Sequence, residues 1–268
     1  MTGAIKYYFK YFINLLKAGY IDIIFNREKF KKFSGTVIDF NTNYNISRKS
    51  DFLKKIDLED IVPAENNNAV INNWVWRQGN VTLYELYCLI SICGFFKPGK
   101  IFEIGTFDGR TTLHFAINTP QTTSIHTLDL PHEELKNVKL NLDEGDEQLV
   151  NKTTFKIGEN FINHSEKGKI TQHLADSANF DYTPFSKAID VFFIDGAHSY
   201  DYIKSDTENA MTCIKDNGII LWHDYGNIFD VTGYLNNISG KMPVFRINNT
   251  SLAVYSKTLT QKLTAAKN

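Results

Sequence analysis

Two short segments bring acid, base and metal-binding side chains together. The first is Phe193-Ile194-Asp195-Gly196-Ala197-His198-Ser199-Tyr200, the second Trp222-His223-Asp224-Tyr225-Gly226. Asp195 ends an almost wholly apolar strand pattern, and burying its carboxylate without a partner would be costly. Such a residue calls for a cation or strong hydrogen-bond donors. Neighbouring strands ending in Asp195 and in His223-Asp224 would bring all three to one rim. Carboxylates beside an imidazole can hold a divalent metal. Mg²⁺ prefers oxygen and keeps several waters, so Asp195 and Asp224 are the expected metal ligands, with His223 as a nitrogen ligand. The alternative is that Asp195 binds a cofactor amine while His223 and Asp224 cap loops. For a general base, His198 is the first candidate and His223 the second, because imidazole titrates near neutrality. His114, His126, His132, His164 and His173 have no comparable setting.

A second group of residues suits a nucleotide-like ligand. The run Ile101-Phe102-Glu103-Ile104-Gly105-Thr106-Phe107-Asp108-Gly109-Arg110-Thr111 reads as a strand, a glycine-bearing turn and a helix start. Gly105 would permit the tight turn and Gly109 the close approach of a ligand. The helix N-terminus would offer free N–H groups to an anion. The third glycine of the strict dinucleotide fingerprint is missing. Later strands end in Asp129, followed by Leu130, and in Asp176-Ser177. Open α/β sheets bind ligands outside the carboxyl ends of their strands. There Asp129 could accept hydrogen bonds from a ribose diol, or else cap a helix over 133–143. Asp176 and Ser177 could read the edge of a heterocycle, or cap a turn.

The elements that must position these groups are legible in the periodicity. Residues 82–96 are helical in pattern, with Thr82 and Glu85 forming a capping box and Pro98-Gly99 ending the helix. Strands are expected at 100–104, 124–129, 170–175, 190–195 and 217–223. Helices are expected at 110–118, 133–143, 160–167 and 201–215. This alternation implies a parallel sheet covered on both faces. Two further strands, 243–247 and 251–256, flank Asn248-Asn249-Thr250 and suggest an antiparallel hairpin. Residues 35–75 read as irregular. The chain has 268 residues, three cysteines and a formal net charge of -1, which offers no whole-chain case for nucleic acid. Few cysteines fit a cytoplasmic chain without a disulfide or zinc framework. No apolar stretch reaches transmembrane length. Residues 1–34 interleave aromatic and basic residues, with only Asp22 and Glu28 opposing them. That suits peripheral membrane contact through an amphipathic helix, or packing on the main domain or a second subunit.

Taken jointly, Glu103 to Gly109, Ala175-Asp176-Ser177, Phe193 to Tyr200 and Gly218 to Tyr225 resemble the class I S-adenosylmethionine-dependent methyltransferases. The chain is most similar to their bacterial small-molecule O-methyltransferase-like branch. The resemblance runs from roughly Gly79 to Ser256. It implies a Rossmann-like α/β fold: a mostly parallel seven-stranded sheet with a C-terminal antiparallel hairpin, plus an N-terminal helical extension. The implied domains are an extension at 1–78, a methyltransferase domain at 79–260 and a flexible tail at 261–268. The resemblance places Glu103, Gly105, Thr106, Asp108 and Gly109 around the methionine half of S-adenosylmethionine. It puts Asp129 and Leu130 at the ribose, Asp176 and Ser177 beside adenine, and Asp195 at the cofactor amine or a metal. Val81 and Thr82 would touch the cofactor, and Trp74, Trp76 and Arg77 would wall the acceptor pocket. The implied reaction is methyl transfer to a hydroxyl of a small molecule, a sugar or glycosylated metabolite among the choices, with Mg²⁺ as a candidate cofactor and a homo-oligomer as the expected assembly. Where related metal enzymes carry a second carboxylate pair, this chain has His223-Asp224. The rival readings are an NAD-dependent oxidoreductase, which the incomplete glycine fingerprint disfavours, and a noncatalytic membrane-surface or scaffold protein.

Overall fold

The structure is a computed structural model, and the residues described are 52–265 apart from Asn67 and Trp76. The aromatic-basic segment 1–34, the membrane contact expected of it, and Trp76 all lie outside them. Residues 52–73 and 79–265 belong to one compact unit, which excludes Trp74 and Arg77. Among the described residues, no helix is long and apolar enough to cross a membrane.

Helix α2 (Leu83–Phe96) follows a strand β1 (Lys54–Ile56) and a short helix α1 (Leu58–Ile61). The capping box forms as expected: Thr82 Oγ1 accepts the Glu85 N–H, and Glu85 Oε2 accepts the Thr82 N–H at 2.9 Å. Lys97, in the left-handed region, closes the helix before Pro98-Gly99. The chain then alternates: β2 (Lys100–Ile104), α3 (Arg110–Ile117), β3 (Ser124–Asp129), α4 (Glu144–Lys152), α5 (Glu159–Ile162), β4 (Ile170–Leu174), β5 (Ile189–Ile194), α6 (Tyr200–Cys213), β6 (Ile214–Trp222), α7 (Phe229–Ile238), β7 (Phe245–Ile247), β8 (Ala253–Tyr255) and α8 (Lys257–Ala265).

One sheet of eight strands results, in the order β1-β7-β8-β6-β5-β2-β3-β4. Strands β4, β3, β2, β5 and β6 pair in parallel, β8 runs against both β6 and β7, and β1 pairs in parallel with β7. The parallel Rossmann-like sheet and its terminal reversal are those the sequence implied. The eighth strand was not: β1 lies in the stretch read as irregular, and three residues are too few to display an alternation. Aromatic side chains fill both faces. Phe102 and Phe192 stack with ring centres 4.9 Å apart, while Phe115 meets Phe193 edge-on at 6.0 Å. All four are fully buried: Phe102, Phe192 and Phe193 on central strands covered on both faces, and Phe115 on the covering helix α3.

Two helical expectations are corrected. No α-helix occupies 133–143; a 3-10 turn at His132–Glu134 is followed by turns, and the helix comes later, as α4, with Asp143 as its cap. The local reason is that Lys139 donates its main-chain N–H to Asp176 at 2.8 Å and its ammonium to the Ala178 carbonyl. The Asp176 side chain thus takes a main-chain donor that a helix would use. The expected helix at 160–167 divides into α5 and a 3-10 segment, Ser165–Lys169, capped by His164. Helix α8 continues through Ala265, into the segment read as a tail.

Candidate active site

The five parallel strands deliver their carboxyl ends to one edge of the sheet, and the acidic residues follow in register. Gly105 turns the chain after β2 with φ +96°, and a Cβ there would lie 1.9 Å from the Asp195 carbonyl oxygen. Only glycine allows the β2 and β5 ends to approach so closely. Gly109 has φ +80°, but a Cβ there would meet the Phe161 ring at 2.5 Å. Its missing side chain makes room for α5, which corrects the expectation that this space is left for a ligand.

Glu103 on β2 is fully buried. Its Oε2 accepts the hydroxyls of Thr112 and Thr127, while Oε1 has no partner. Burial pushes this carboxyl up to about 8, with the nearby Asp195 and Asp129 adding to the effect. Thr106 shares a 2.6 Å hydrogen bond with Thr127. Asp129 Oδ2 accepts the Phe107 N–H at 2.5 Å, and burial pushes Asp129 up to about 6. It caps no helix, since the next one is capped by Asp143; Leu130 follows it, half-buried. Asp108 is buried and accepts from Arg110 N–H and Asn80 Nδ2, at 3.1 and 2.9 Å. Val81 is buried, and its carbonyl receives the Arg110 guanidinium. Asp176 is more heavily engaged than a heterocycle-reading residue needs to be. It accepts from the main-chain N–H groups of Lys139 and Ala178, from Asn179 and from the Tyr202 hydroxyl. Ser177 is buried beside Asp206, whose carboxyl burial pushes up to about 7.

The centre of the site is a row of carboxylates and imidazoles. His223 Nδ1 lies 3.0 Å from Asp195 Oδ1 and 3.1 Å from Asp224 Oδ2, and Nε2 lies 3.1 Å from Glu85 Oε2. Glu85 Oε1 in turn accepts the N–H and the hydroxyl of Ser251, at 2.7 and 2.6 Å. His198 Nδ1 lies 2.6 Å from Asp146 Oδ1, and the His198 main-chain N–H donates to Asp146 Oδ2 at 2.7 Å. His198 Nε2 is 3.0 Å from Asp224 Oδ2, within charge-pairing reach, yet it is buried without an aligned hydrogen-bond partner.

Burial alone would lower both imidazoles. The surrounding carboxylates outweigh it and raise His198 and His223 well above the ordinary histidine range. Burial likewise works against ionised Glu85 and Asp224, but His223 holds Glu85 at about 2, and the two histidines hold Asp224 well below the usual carboxylate range. At Asp195 burial prevails and the carboxyl is raised. Four carboxyl groups around two imidazoles make an electrostatic setting suited to a cation.

Ligand atoms of Asp195, His198 and Asp224 all lie within 4.8 Å of one another. The nitrogen in that set belongs to His198, whereas the sequence pointed to His223; in both histidines each ring nitrogen lies within 3.1 Å of a carboxylate oxygen. Two further participants escaped the sequence reading. Glu85 was recognisable as half of a capping box, and nothing in that motif announces a second duty. Asp146 lies 52 residues from His198, on a helix that the periodicity had placed earlier, so no local signal could have found it.

Against known families, residues 102–225 match the model of a methyltransferase domain. No curated protein matched the sequence. Similar solved structures include the O-methyltransferase TomG from Streptomyces achromogenes, involved in tomaymycin synthesis and solved with S-adenosylmethionine, at 12% identity, 66% of this chain, 81% of that chain and a TM-score of 0.45. A putative O-methyltransferase from Klebsiella pneumoniae shares 12% identity over 86% of this chain and 99% of that one, with a TM-score of 0.47. A putative caffeoyl-CoA O-methyltransferase from Staphylococcus aureus shares 14% identity over 82% and 97%, with a TM-score of 0.46. The family match runs from within β2 to just past β6 and takes in both acid–histidine segments, so residues 102–225 of this chain are similar to a methyltransferase domain.

Proposed function

We propose that this domain transfers the methyl group of S-adenosylmethionine to a hydroxyl oxygen of a small molecule, with a sugar or glycosylated metabolite among the candidate acceptors. The observation that carries the reading is the row of carboxyl groups and imidazoles at the strand ends, a cation-seeking rim with a buried nitrogen, His198 Nε2, that lacks an aligned partner. The cofactor is itself a cation. Glu103, with Oε1 unpartnered, and Asp195 would face its amino group. Asp129 would hold its ribose hydroxyls, Thr106, Asp108 and the turn glycines would frame the methionine half, and Ser177 would lie beside adenine.

Sulfonium methyl groups are already reactive, so the protein mainly aligns the reactants and excludes water. His198 removes the acceptor proton. Once its own proton has gone to solvent, an imidazole raised by two carboxylates is a stronger base than a free one. His223, braced by Glu85, holds Asp195 and Asp224 in place. The Asp195 and Asp224 oxygens also fit a hard divalent cation such as Mg²⁺, which would leave His198 Nε2 to the acceptor. When bound, the ion would favour the ionised acceptor oxygen.

The test has two arms. Calorimetry with S-adenosylhomocysteine should show binding, with NADH as the comparison; NADH binding without S-adenosylhomocysteine binding would overturn the proposal. Label transfer from S-adenosylmethionine should then be screened against sugars, glycosides, phenols and amines. Methyl ethers are expected, and exclusive N-methylation would refute the oxygen acceptor. For residues 1–34 we propose peripheral membrane contact, which anionic vesicles should capture in the full chain and lose on deletion of the segment.

A further inference from the structure

We propose that His126 and His173 form a second cation site, separate from the acidic rim: a two-imidazole clamp at the β3–β4 end of the sheet for a nitrogen-seeking divalent ion of the Zn²⁺ or Cu²⁺ kind. The inference stands on these residues and their neighbours and does not depend on the methyl-transfer reading.

Strands β3 and β4 pair in parallel at one end of the sheet, with His126 opposite Thr171 and His173 opposite Leu128. Alternate residues of a strand share a face, so the two imidazoles are diagonal neighbours on one face. His126 Nδ1 lies 3.2 Å from His173 Nε2, and the ring planes are inclined by only 16°. Two nitrogens that each sit about 2.05 Å from a tetrahedral zinc ion stand about 3.3 Å apart. The facing atoms are therefore already at ligand spacing. Aromatic neighbours hold both rings there. Phe102 lies nearly parallel to each of them, with its ring centre 6.3 Å away. Phe185 meets His126 edge-on at 4.8 Å, and Phe180 meets His173 at 5.0 Å. Both histidines are half-buried, which leaves water access to complete an ion's shell.

Neutral imidazole is the ligand form, and it is the ordinary form of histidine near neutral pH. Ser124 Oγ lies 3.1 Å from His126 Nε2. That contact orients the ring from behind and leaves Nδ1 to face His173. The facing nitrogens share one proton between them. As an ion enters, that proton passes to the far nitrogen of its own ring, both lone pairs turn to the metal, and no proton is released. The pair contains no carboxylate, so Mg²⁺, which demands oxygen, is disfavoured. Lys100 on β2 places its charge against His126 and opposes any loosely held cation. The ions that remain are those that nitrogen binds most strongly, Cu²⁺ above Zn²⁺. A bound ion would tie β3 to β4, the strands that deliver Asp129 and Asp176.

The test titrates the full chain, labelled with ring-¹⁵N histidine, with ZnCl₂ near neutral pH in excess Mg²⁺, and reads it by NMR, equilibrium dialysis and thermal unfolding. Each histidine is assigned from the signal missing in His126→Gln or in His173→Phe; phenylalanine at 173 keeps the aromatic contact with Phe102 and removes both nitrogens. In the parent, His126 Nδ1 and His173 Nε2 should shift together as zinc is added, and Tm should rise. Mg²⁺ alone should move neither. In His173→Phe the His126 shift should vanish, the chain should hold one zinc equivalent fewer whatever the acidic rim retains, and the zinc-dependent rise in Tm should shrink. Ser124→Ala should weaken the site about tenfold, as loss of a partner behind a ligating histidine does. Absence of any shift at His126 and His173 in excess zinc overturns the proposal. So does a His126 shift that survives in His173→Phe, because the two imidazoles would then bind independently. Should His173→Phe not fold, His173→Gln takes its place with the same two outcomes.

Discussion

Glu103 offers the clearest quantitative test of how the site is built. Its carboxyl is fully buried on a central strand, satisfied at one oxygen by Thr112 and Thr127 and unpartnered at the other. Burial displaces it from an ordinary 4.5 to about 8. Because the folded-state value is raised, the folded protein holds this proton over a range in which the unfolded chain has released it. Stability from this group is then complete below pH 4.5 and is lost as pH rises towards 8. At about 1.4 kcal/mol per pH unit, the ceiling between pH 5 and pH 8 is about 4 kcal/mol, and relaxation around the ionised group brings the expected loss to about 2–4 kcal/mol. Glu103→Gln removes the titration and keeps an oxygen for the two threonines. Urea unfolding of both proteins at pH 5, 6, 7 and 8 should show the variant gaining on the parent at each step. The neutral amide adds an offset that does not depend on pH, so the slope is the diagnostic quantity. Asp206 titrates equally in both proteins and cancels from the difference. Parallel stability–pH curves would refute the reasoning. Saturating S-adenosylhomocysteine should flatten the parent's slope, because its amino group would meet the unpartnered oxygen.

Three further outcomes can be checked directly. Asp129→Asn should weaken S-adenosylhomocysteine binding by about 10–100-fold, the range for a charge-assisted hydrogen bond, and parent affinity should fall as pH drops below about 6, where Asp129 takes up a proton; calorimetry across pH 5–8 measures both. Gly109→Ala should cost about 2–4 kcal/mol in urea unfolding, from a left-handed backbone and a clash with the Phe161 ring, and Phe161→Leu in the same chain should recover part of it. Glu85→Gln should destabilise the protein by about 3–5 kcal/mol, as removal of one member of a buried pair does, and a Tm shift no larger than that of an exposed-site control would contradict the role assigned to it.

The strands were legible because runs such as Val191-Phe192-Phe193-Ile194 carry their burial in their composition, and each acidic residue that follows a strand was placed correctly by counting along it. The capping box at Thr82 and Glu85 was equally local. What could not be read depended on partners far away in the chain. The stretch 133–143 has helical spacing, yet Asp176, beyond β4, takes the main-chain N–H of Lys139. Gly109 was singled out for the close approach of a ligand, but what occupies the space beside it is Phe161. The choice between His198 and His223 beside the two aspartates turns on Asp146 and Glu85, and no spacing rule links those four residues.

Glu85 also bears on when the site comes into being. It is joined to His223 across 138 residues and to Ser251 across 166. During synthesis its carboxylate emerges long before either partner, so the brace behind His223 cannot close until the β7–β8 turn has left the ribosome and docked. Contacts of such sequence separation form slowly. The row of carboxylates and imidazoles is thus assembled last, and a nascent chain stopped short of Ser251 would hold the turn at Gly105 without the finished brace behind His223.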